Sequence, residues 1–228
     1  DPISLSQYLE KMPDTQKEIY YISAETSAQA LASPHLEGFK SKNIPVLIMT
    51  DAIDQFWLPM VGSFKEKKFT SITQGKINLD ELDSKNKDKK NKSNDDKDKQ
   101  DKEYVDLIAQ LKVVLGDQVK DIRLSSKLTD SPVCLVADEG DMDIAMEQLM
   151  AQRDSNYKGA PRILEINGDH SLIKNMKSLL SKKESNDLVS DAGTLLFEQA
   201  RLMEGKMPAD PAQFSKIMNQ FLLKAIPN

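Results

Sequence analysis

The segment 83–103, DSKNKDKKNKSNDDKDKQDKE, contains no apolar residue and most constrains how this chain can fold. A stretch without apolar side chains cannot bury a core, so it predicts a boundary between separately folded parts. Its lysines and acidic residues nearly balance, so it lacks the positive excess of a nucleic-acid-binding arm. We predict a charged linker or exposed helix at 81–103, between a small α/β subdomain at 1–80 and a C-terminal domain at 104–228.

The part before this segment alternates between helical and extended patterns. LSQYLEKM has apolar residues at helical spacing after Ser4, which suits an N-cap. KEIYYIS and KFTSIT are β-rich runs, and IPVLIMTD is a continuous apolar run typical of a buried strand. A helical pattern capped by Thr26 or Ser27 lies between KEIYYIS and IPVLIMTD. This order predicts a βαβ unit.

The part after the charged segment mixes both patterns. We predict an amphipathic helix at 104–117, with Val105 on its apolar side, and paired strands at QVKDIRLSSKL and PVCLVAD. RILEIN is predicted as a strand or as an extended entry to a helix at 170–180. The fold class is therefore α+β or α/β, with the small βαβ subdomain followed by a mixed α/β domain.

The chain closes with two amphipathic helices, which are its clearest pattern. They are separated by EGKMPADPAQ, in which Asp210 suits an N-cap and Pro211 suits the first helical position. Such a hairpin packs on its own domain or pairs with a second copy in a four-helix bundle, and periodicity does not decide between the two. Its candidate contact residues are Leu188, Leu195, Leu196, Leu202, Phe214, Ile217, Met218, Phe221 and Leu222.

A methionine-rich stripe lies in GDMDIAMEQLMAQ, residues 140–152. Its members fall at the spacing of one helix face; they are Met142, Ala145, Met146, Leu149 and Met150. Taken alone, this pattern favours a core face over an exposed surface that grips a partner.

The sequence has no pattern for catalysis, a cofactor or a metal. His35 and His170 stand at no spacing that suggests a metal site, and we interpret both as surface or turn residues. Cys134 lies in a predicted buried strand, where a thiol is inert. There is no Gly-rich phosphate loop and no G-x-S-x-G motif. We expect no catalytic, cofactor-binding or metal-binding residues, and hence no enzyme activity in these residues.

The overall charge and apolar runs exclude some partners. The formal net charge of −5 gives no general attraction to nucleic acid or anionic membranes. The longest apolar runs are too short to span a bilayer. A single cysteine fits a reducing compartment. We expect neither nucleic acid nor a membrane as a partner.

Several separated stretches resemble the ninety-kilodalton heat-shock chaperone family, in the family's order. IYYI at 19–22, SPHLE at 33–37 and VLIMTDAID at 46–54 resemble the end of its middle domain. RLSSKLTDSP at 123–132 resembles the start of its C-terminal domain. LEIN at 164–167 is followed by Gly168 where the family usually has proline, and the closing helices also match.

The resemblance implies the C-terminal part of an ATP-dependent molecular chaperone of the heat-shock response. It implies a homodimer held by the terminal hairpin residues given above, which would form a four-helix bundle. ATP and magnesium would bind in N-terminal and middle domains of the intact parent, an ATPase, and not in this fragment. The partners would be unfolded or partly folded client proteins.

The resemblance also implies where clients bind. One site would be the methionine helix, at Met142, Met146, Leu149 and Met150, with Met150 where the family has an aromatic residue. The other would include Phe56 and the neighbouring Trp57, with the helix interrupted at Pro59.

The last residues of the chain bear on its cellular location, and two alternative functions stay open. The chain ends in LLKAIPN and not in the Met-Glu-Glu-Val-Asp tail of the family's eukaryotic cytosolic members. We therefore expect a bacterial cytoplasmic protein, with an organelle as the less favoured location. One alternative function is a ligand-binding protein or enzyme that uses the βαβ crevice. The other is a plain dimerisation adaptor.

Overall fold

The computed structural model describes residues 2–79, 93–154, 157, 159–180 and 186–226, without the side chains of 93–101. These residues form a mixed α/β structure, as predicted. They divide into two compact units, each made of separate chain segments. The first contains Asp1–Asn94, Ser126–Asp130 and Val136–Ala160, and the second contains Asp95–Ser125, Ser131–Leu135 and Pro161–Asn228. The division into domains at 81 and 104 stays a prediction.

The helices and strands have the following bounds. The helices are α1 (Leu5–Lys11), α2 (Ser27–Leu31), α3 (Glu37–Ser41), α4 (Asp54–Val61), α5 (Ser93–Leu115), α6 (Ile144–Arg153), α7 (Ser171–Leu180), α8 (Asn186–Met203) and α9 (Pro211–Ala225). The strands are β1 (Ile19–Ser23), β2 (Leu47–Met49), β3 (Ser63–Phe64), β4 (Lys67–Ser71), β5 (Val119–Leu124), β6 (Val133–Val136) and β7 (Arg162–Ile166). None of the helices in the described ranges is long and apolar enough to cross a membrane.

The first unit is built on a sheet with the order β2-β1-β4-β3. Strand β1 is parallel to both β2 and β4, and α2 and α3 separate β1 from β2 along the chain. The predicted βαβ unit is therefore confirmed. The predicted caps are confirmed as well, because Ser4 Oγ accepts from Gln7 N and Thr26 Oγ1 accepts from Gln29 N.

The hairpin β3–β4 was not predicted from the sequence. Its two-residue turn is Lys65-Glu66, and both residues have positive φ, at 46° and 64°. Tight hairpin turns with positive φ normally use asparagine, aspartate or glycine. Two charged, long side chains therefore gave no turn signal.

Helix α4 corrects the expectation that Pro59 interrupts a helix. The helix continues through Pro59 to Val61, and Gly62 ends it with a φ of 68° and an N–H that donates to the Leu58 carbonyl. Proline removes one backbone donor but its fixed φ is compatible with helical backbone.

The second unit contains a sheet with the order β5-β7-β6. The predicted pairing of QVKDIRLSSKL with PVCLVAD is wrong, because β7 lies between β5 and β6. Strand β7 is parallel to β5 and buried at all five positions, including Arg162 and Glu165. Of the two possibilities predicted for this segment, a strand or an extended entry to a helix, the strand is observed.

The core of the second unit gathers residues from α5, α7, α8, α9 and the sheet. Tyr104, Leu107, Leu111 and Leu115 of α5 are buried there, whereas Val105 is exposed, contrary to the prediction. Helix α5 begins at Ser93, so it includes part of the charged segment, and residues 83–92 lie outside the described residues.

Candidate functional site

Helix α6 carries most of the methionine stripe. Unlike an ordinary core helix, it does not bury the stripe as its main core-facing side. It begins at Ile144 with Asp143 as its N-cap, so Met142 lies before the helix and is 39% exposed. The buried positions of α6 are Ile144 and Glu147. Glu147 is about 100° around the helix from Met146 and about 160° from Leu149.

Leu149 is therefore turned away from the buried side, whereas Met150 lies only about 60° from Glu147. Met146, Leu149 and Met150 are all only part-buried. A core face would bury these three side chains and leave Glu147 in solvent. In the structure Glu147 is buried, and these three side chains are part-buried.

Carboxylates hold the buried side of α6. Asp143 Oδ2 accepts hydrogen bonds from Ser71 Oγ at 2.5 Å and from Thr73 Oγ1 at 2.8 Å, and Asp143 Oδ1 accepts from Ala145 N at 2.9 Å. Glu147 Oε2 accepts from Ala160 N at 3.2 Å.

Burial and the nearby Asp143 carboxylate raise the pKa of Tyr21 to about 12.

The second predicted region, on α4, carries a larger apolar surface than expected. Phe56 is 37% exposed. Trp57 is part-buried, with its ring edge-on to Phe69 at 5.7 Å and its Nε1–H donating to Asp54 Oδ1 at 2.6 Å. Trp57 therefore supports the helix and Phe56 faces solvent.

Sequence reasoning missed three further exposed side chains around α4. These are Ile53, Met60, which is 85% exposed, and Val61. Ile53, Phe56 and Met60 have i, i+3, i+7 spacing, which marks one helix face. That spacing was available in the sequence and was not used.

The terminal hairpin has an inner and an outer face. Leu196 and Ile217 are buried within the single chain, and Leu188, Leu195, Phe214 and Phe221 are part-buried. Leu202, Met218 and Leu222 are exposed. The exposed apolar residues that the sequence analysis did not single out are Met203, Met207, Leu223 and Ile226.

Polar contacts fix the turn between α8 and α9. The buried Glu198 carboxylate accepts from Ala209 N and pairs with Arg201 Nε at 3.1 Å. Arg201 also donates to the Met207 carbonyl. At the start of α9, Asp210 accepts from the backbone N–H groups of Ala212 and Gln213, as its predicted capping role requires. The two helices of the hairpin are therefore held together within one chain.

The remaining candidate residues have structural surroundings. His35 is buried in a short 3₁₀ turn, and His170 Nδ1 accepts from Leu172 N at the start of α7. Cys134 is buried, as expected for an inert thiol. Among the described residues, no group of histidine, cysteine, aspartate and glutamate is arranged to hold a metal.

The sequence of this chain is similar to those of known proteins. A family model described as Hsp90 protein matches residues 1–227. A relative named Chaperone protein HtpG from Roseobacter denitrificans is 39% identical over 228 residues, which cover 99% of this chain and 36% of that protein.

Relatives of the same name occur in other bacteria. The one from Streptomyces coelicolor is 35% identical over 218 residues, covering 96% of this chain and 33% of its own length. The one from Wolbachia pipientis wMel is 37% identical over 223 residues, covering 97% and 34%. The chain spans about a third of the length of the curated relatives it matches.

Proposed function

The chain belongs to the Hsp90 protein family, and from that membership we propose that it is the C-terminal part of an ATP-dependent molecular chaperone. In this proposal it contributes homodimerisation and the binding of unfolded or partly folded clients. ATP and magnesium bind in a part of the longer protein that this chain does not span, and hydrolysis occurs there. The protein works in a bacterial cytoplasm.

The observation that supports client binding is that Met142 is exposed and Met146, Leu149 and Met150 are only part-buried, while Glu147 takes a buried position of α6. An exposed apolar face normally marks a site of interaction, because water solvates it poorly. Methionine side chains are flexible and polarizable, so they adapt to partners of different shape. Met142, just before α6, and Met146, Leu149 and Met150 on α6 are therefore our proposed client contacts, together with the exposed Phe56 and the part-buried Trp57 of α4.

The outer face of the terminal hairpin supports homodimerisation. Leu188, Leu195 and Leu202 recur at intervals of seven residues, the spacing of a helix-packing seam. Met218 and Leu222 lie one turn apart on α9 and are exposed. We propose that these residues meet their copies in a four-helix bundle. Leu196, Ile217 and the part-buried Phe214 and Phe221 would hold each hairpin together.

Client binding is tested by suppression of the aggregation of a heat-unfolded test protein. Met142→Ser with Met146→Ser should weaken suppression several-fold at equal chain concentration, because it replaces apolar contacts with hydroxyls. Met207→Ser is the matched control, since it removes an exposed methionine of the hairpin turn. Equal suppression by the double variant and the wild type would refute client binding by α6 and leave the adaptor function.

Dimerisation is tested separately by light scattering over a concentration series. Met218→Glu with Leu222→Glu places charges on the outer face while leaving Leu196 and Ile217 in the core. We expect the wild type to have the mass of a dimer and the double variant to be a folded monomer. Gln220→Glu, on the same helix, adds a charge at an exposed polar position and should remain dimeric. A monomeric wild type at every concentration would contradict the bundle.

A further inference from the structure

Helix α6 is docked in the first unit by polar groups. Its N-cap, Asp143, receives two hydroxyl donors, Ser71 from the end of β4 and Thr73 just beyond it. The two hydroxyl oxygens are 2.8 Å apart, and both residues are buried. Hydrogen bonds from hydroxyls to a carboxylate are short and about twice as strong as those between neutral groups.

The turn that precedes α6 is bound to the same stretch of chain. Gln74 Nε2 donates to the Asp141 carbonyl at 2.6 Å. The backbone adds two hydrogen bonds, from Ala137 N to the Thr73 carbonyl and from Gly75 N to the Ala137 carbonyl. These bonds place the start of α6 against residues 71–75.

Apolar packing contributes little to this docking. None of the three buried apolar clusters among the described residues contains a residue of α6. Ile144 is buried at the helix start, and the next buried position is the carboxylate of Glu147. Met146, Leu149 and Met150 are part-buried and belong to none of these clusters, so their accessible parts remain available to a partner.

We propose that Ser71, Thr73 and Asp143 are positioning residues that hold α6 so that its methionine face is presented to clients. We call these three residues the hydroxyl–carboxylate latch. The inference rests on the proposed function for the identity of the partner, an unfolded polypeptide segment. The latch itself touches no partner and acts through the placement of α6.

The latch is tested by separating the hydroxyl of Thr73 from its methyl group. Thr73→Val keeps the shape and removes the donor, whereas Thr73→Ser keeps the donor and removes a methyl group. Ser71→Ala is combined with Thr73→Val to remove the second donor. Thr70→Val is the matched control on the same strand, because the Thr70 hydroxyl is buried without a hydrogen-bond partner among the described residues.

Amide hydrogen exchange of the full chain reports the docking of α6. Loss of both donors should speed the exchange of α6 amides about tenfold or more, because exchange follows the free energy of local opening. Amides of β1, β5 and β7 should keep their wild-type rates. Thr73→Ser and Thr70→Val should leave α6 unchanged. Asp143→Ser, which retains an N-cap but shortens the acceptor, should speed α6 exchange in the same way.

Client holding by the same variants then tests the positioning role. The Ser71→Ala with Thr73→Val variant should suppress aggregation several-fold less well, although its methionines are intact. Unchanged α6 exchange, or an equal rise in Thr73→Ser, would overturn the latch. Faster α6 exchange with undiminished client holding would overturn the positioning role. The proposed function fails by a different result, namely that the methionine substitutions leave client holding unchanged.

Discussion

Helices α6 and α7 are both ten residues long and both contain methionine, but they are attached to the protein through different kinds of side chain. Helix α7 buries Ile173 completely and leaves Met176 only 2% exposed, in the large apolar cluster of the second unit. Helix α6 buries Glu147 to the same extent and leaves its methionines part-exposed. One helix uses its apolar face for its own attachment, and the other does not.

The difference shows what an apolar stripe does and does not predict. Residues at i, i+3 and i+4 share a face, and both helices obey this rule. Which face is buried depends on what the rest of the structure offers to the opposite face. For α6 the first unit offers hydroxyl and backbone N–H donors, and these favour the carboxylates of Asp143 and Glu147.

The largest effect is expected in α7. Met176→Ser removes a buried side chain and introduces a hydroxyl into an apolar cluster, so it should lower the free energy of unfolding by about 3–5 kcal/mol. Denaturant-induced unfolding measures this change. A loss below about 1 kcal/mol would mean that the buried Met176 contributes little to the attachment of α7. The two helices would then not differ in how much their methionines stabilise the protein.

The next effect concerns the contact between α6 and the chain that follows it. Gly159 has a φ of 69°, and a Cβ there would lie 2.5 Å from Glu147 Oε1. Gly159→Ala should therefore destabilise the chain by about 2–3 kcal/mol, from backbone strain and displacement of the buried carboxylate. Gly62→Ala is the control, since its φ is 68° and a Cβ there meets no atom within 4 Å. Equal losses in the two variants would show that the Glu147 contact adds nothing.

A smaller effect is expected at alkaline pH. Burial and the charge of Asp143 raise the pKa of Tyr21 to about 12, above its ordinary value near 10. Above pH 10 the unfolded chain releases this proton before the folded chain does, so stability falls as the pH rises from about 10 to 12. After allowance for partial exposure, Tyr21→Phe should remove about 1–2 kcal/mol of that fall.

Tyr104, beside α7, is present in both the wild type and Tyr21→Phe, so its titration contributes to both stability curves. Burial raises the pKa of Tyr104 above its ordinary value, and the Lys177 ammonium, 4.8 Å from the ring centre, offsets part of this increase. Unfolding free energies of the wild type and Tyr21→Phe at pH 8, 10, 11 and 12 give the difference between the two curves. Parallel curves across this range would contradict the raised pKa of Tyr21.

The smallest effect on stability is expected where the proposed effect on function is large. Met142→Ser with Met146→Ser should change the free energy of unfolding by less than about 1 kcal/mol, because these side chains are not in the core. The same denaturant titration used for Met176→Ser measures it. A loss of several kcal/mol would show that the methionines of α6 are structural, and the interpretation as a client surface would fail.

Local signals predicted much of the fold. Ser4 and Asp210 were predicted as caps from residue type and spacing, and Thr26 was one of two candidates with Ser27; caps are observed at Ser4, Thr26 and Asp210. Such signals are readable because a capping side chain and the backbone N–H that donates to it lie within one turn of the chain. The position of β7 between β5 and β6 was not readable, because it depends on partners far apart in sequence.

The candidate site was predicted in part, for the same reason. The methionine stripe was found from helical spacing and Phe56 from family resemblance. Phe56 and Met142 are exposed, and Met146, Leu149 and Met150 are part-buried. The role of Ser71 and Thr73 at the start of α6 was not found, because it joins residues about seventy positions apart. Helical spacing alone also could not distinguish Leu196, which is buried, from Leu202, which is exposed on the same helix.

The burial of Cys134 gives the protein a built-in reporter of its own opening. It is the single cysteine of the chain and lies in β6, with its Sγ 4.0 Å from Glu165 Oε2 of the central strand β7. A thiol reagent reaches it only when the strands around it separate, so the labelling rate counts those events. No cysteine has to be introduced for this measurement. Cys134 belongs to the second unit, so its labelling rate reports on a different part of the chain from the amide exchange of α6 in the first unit.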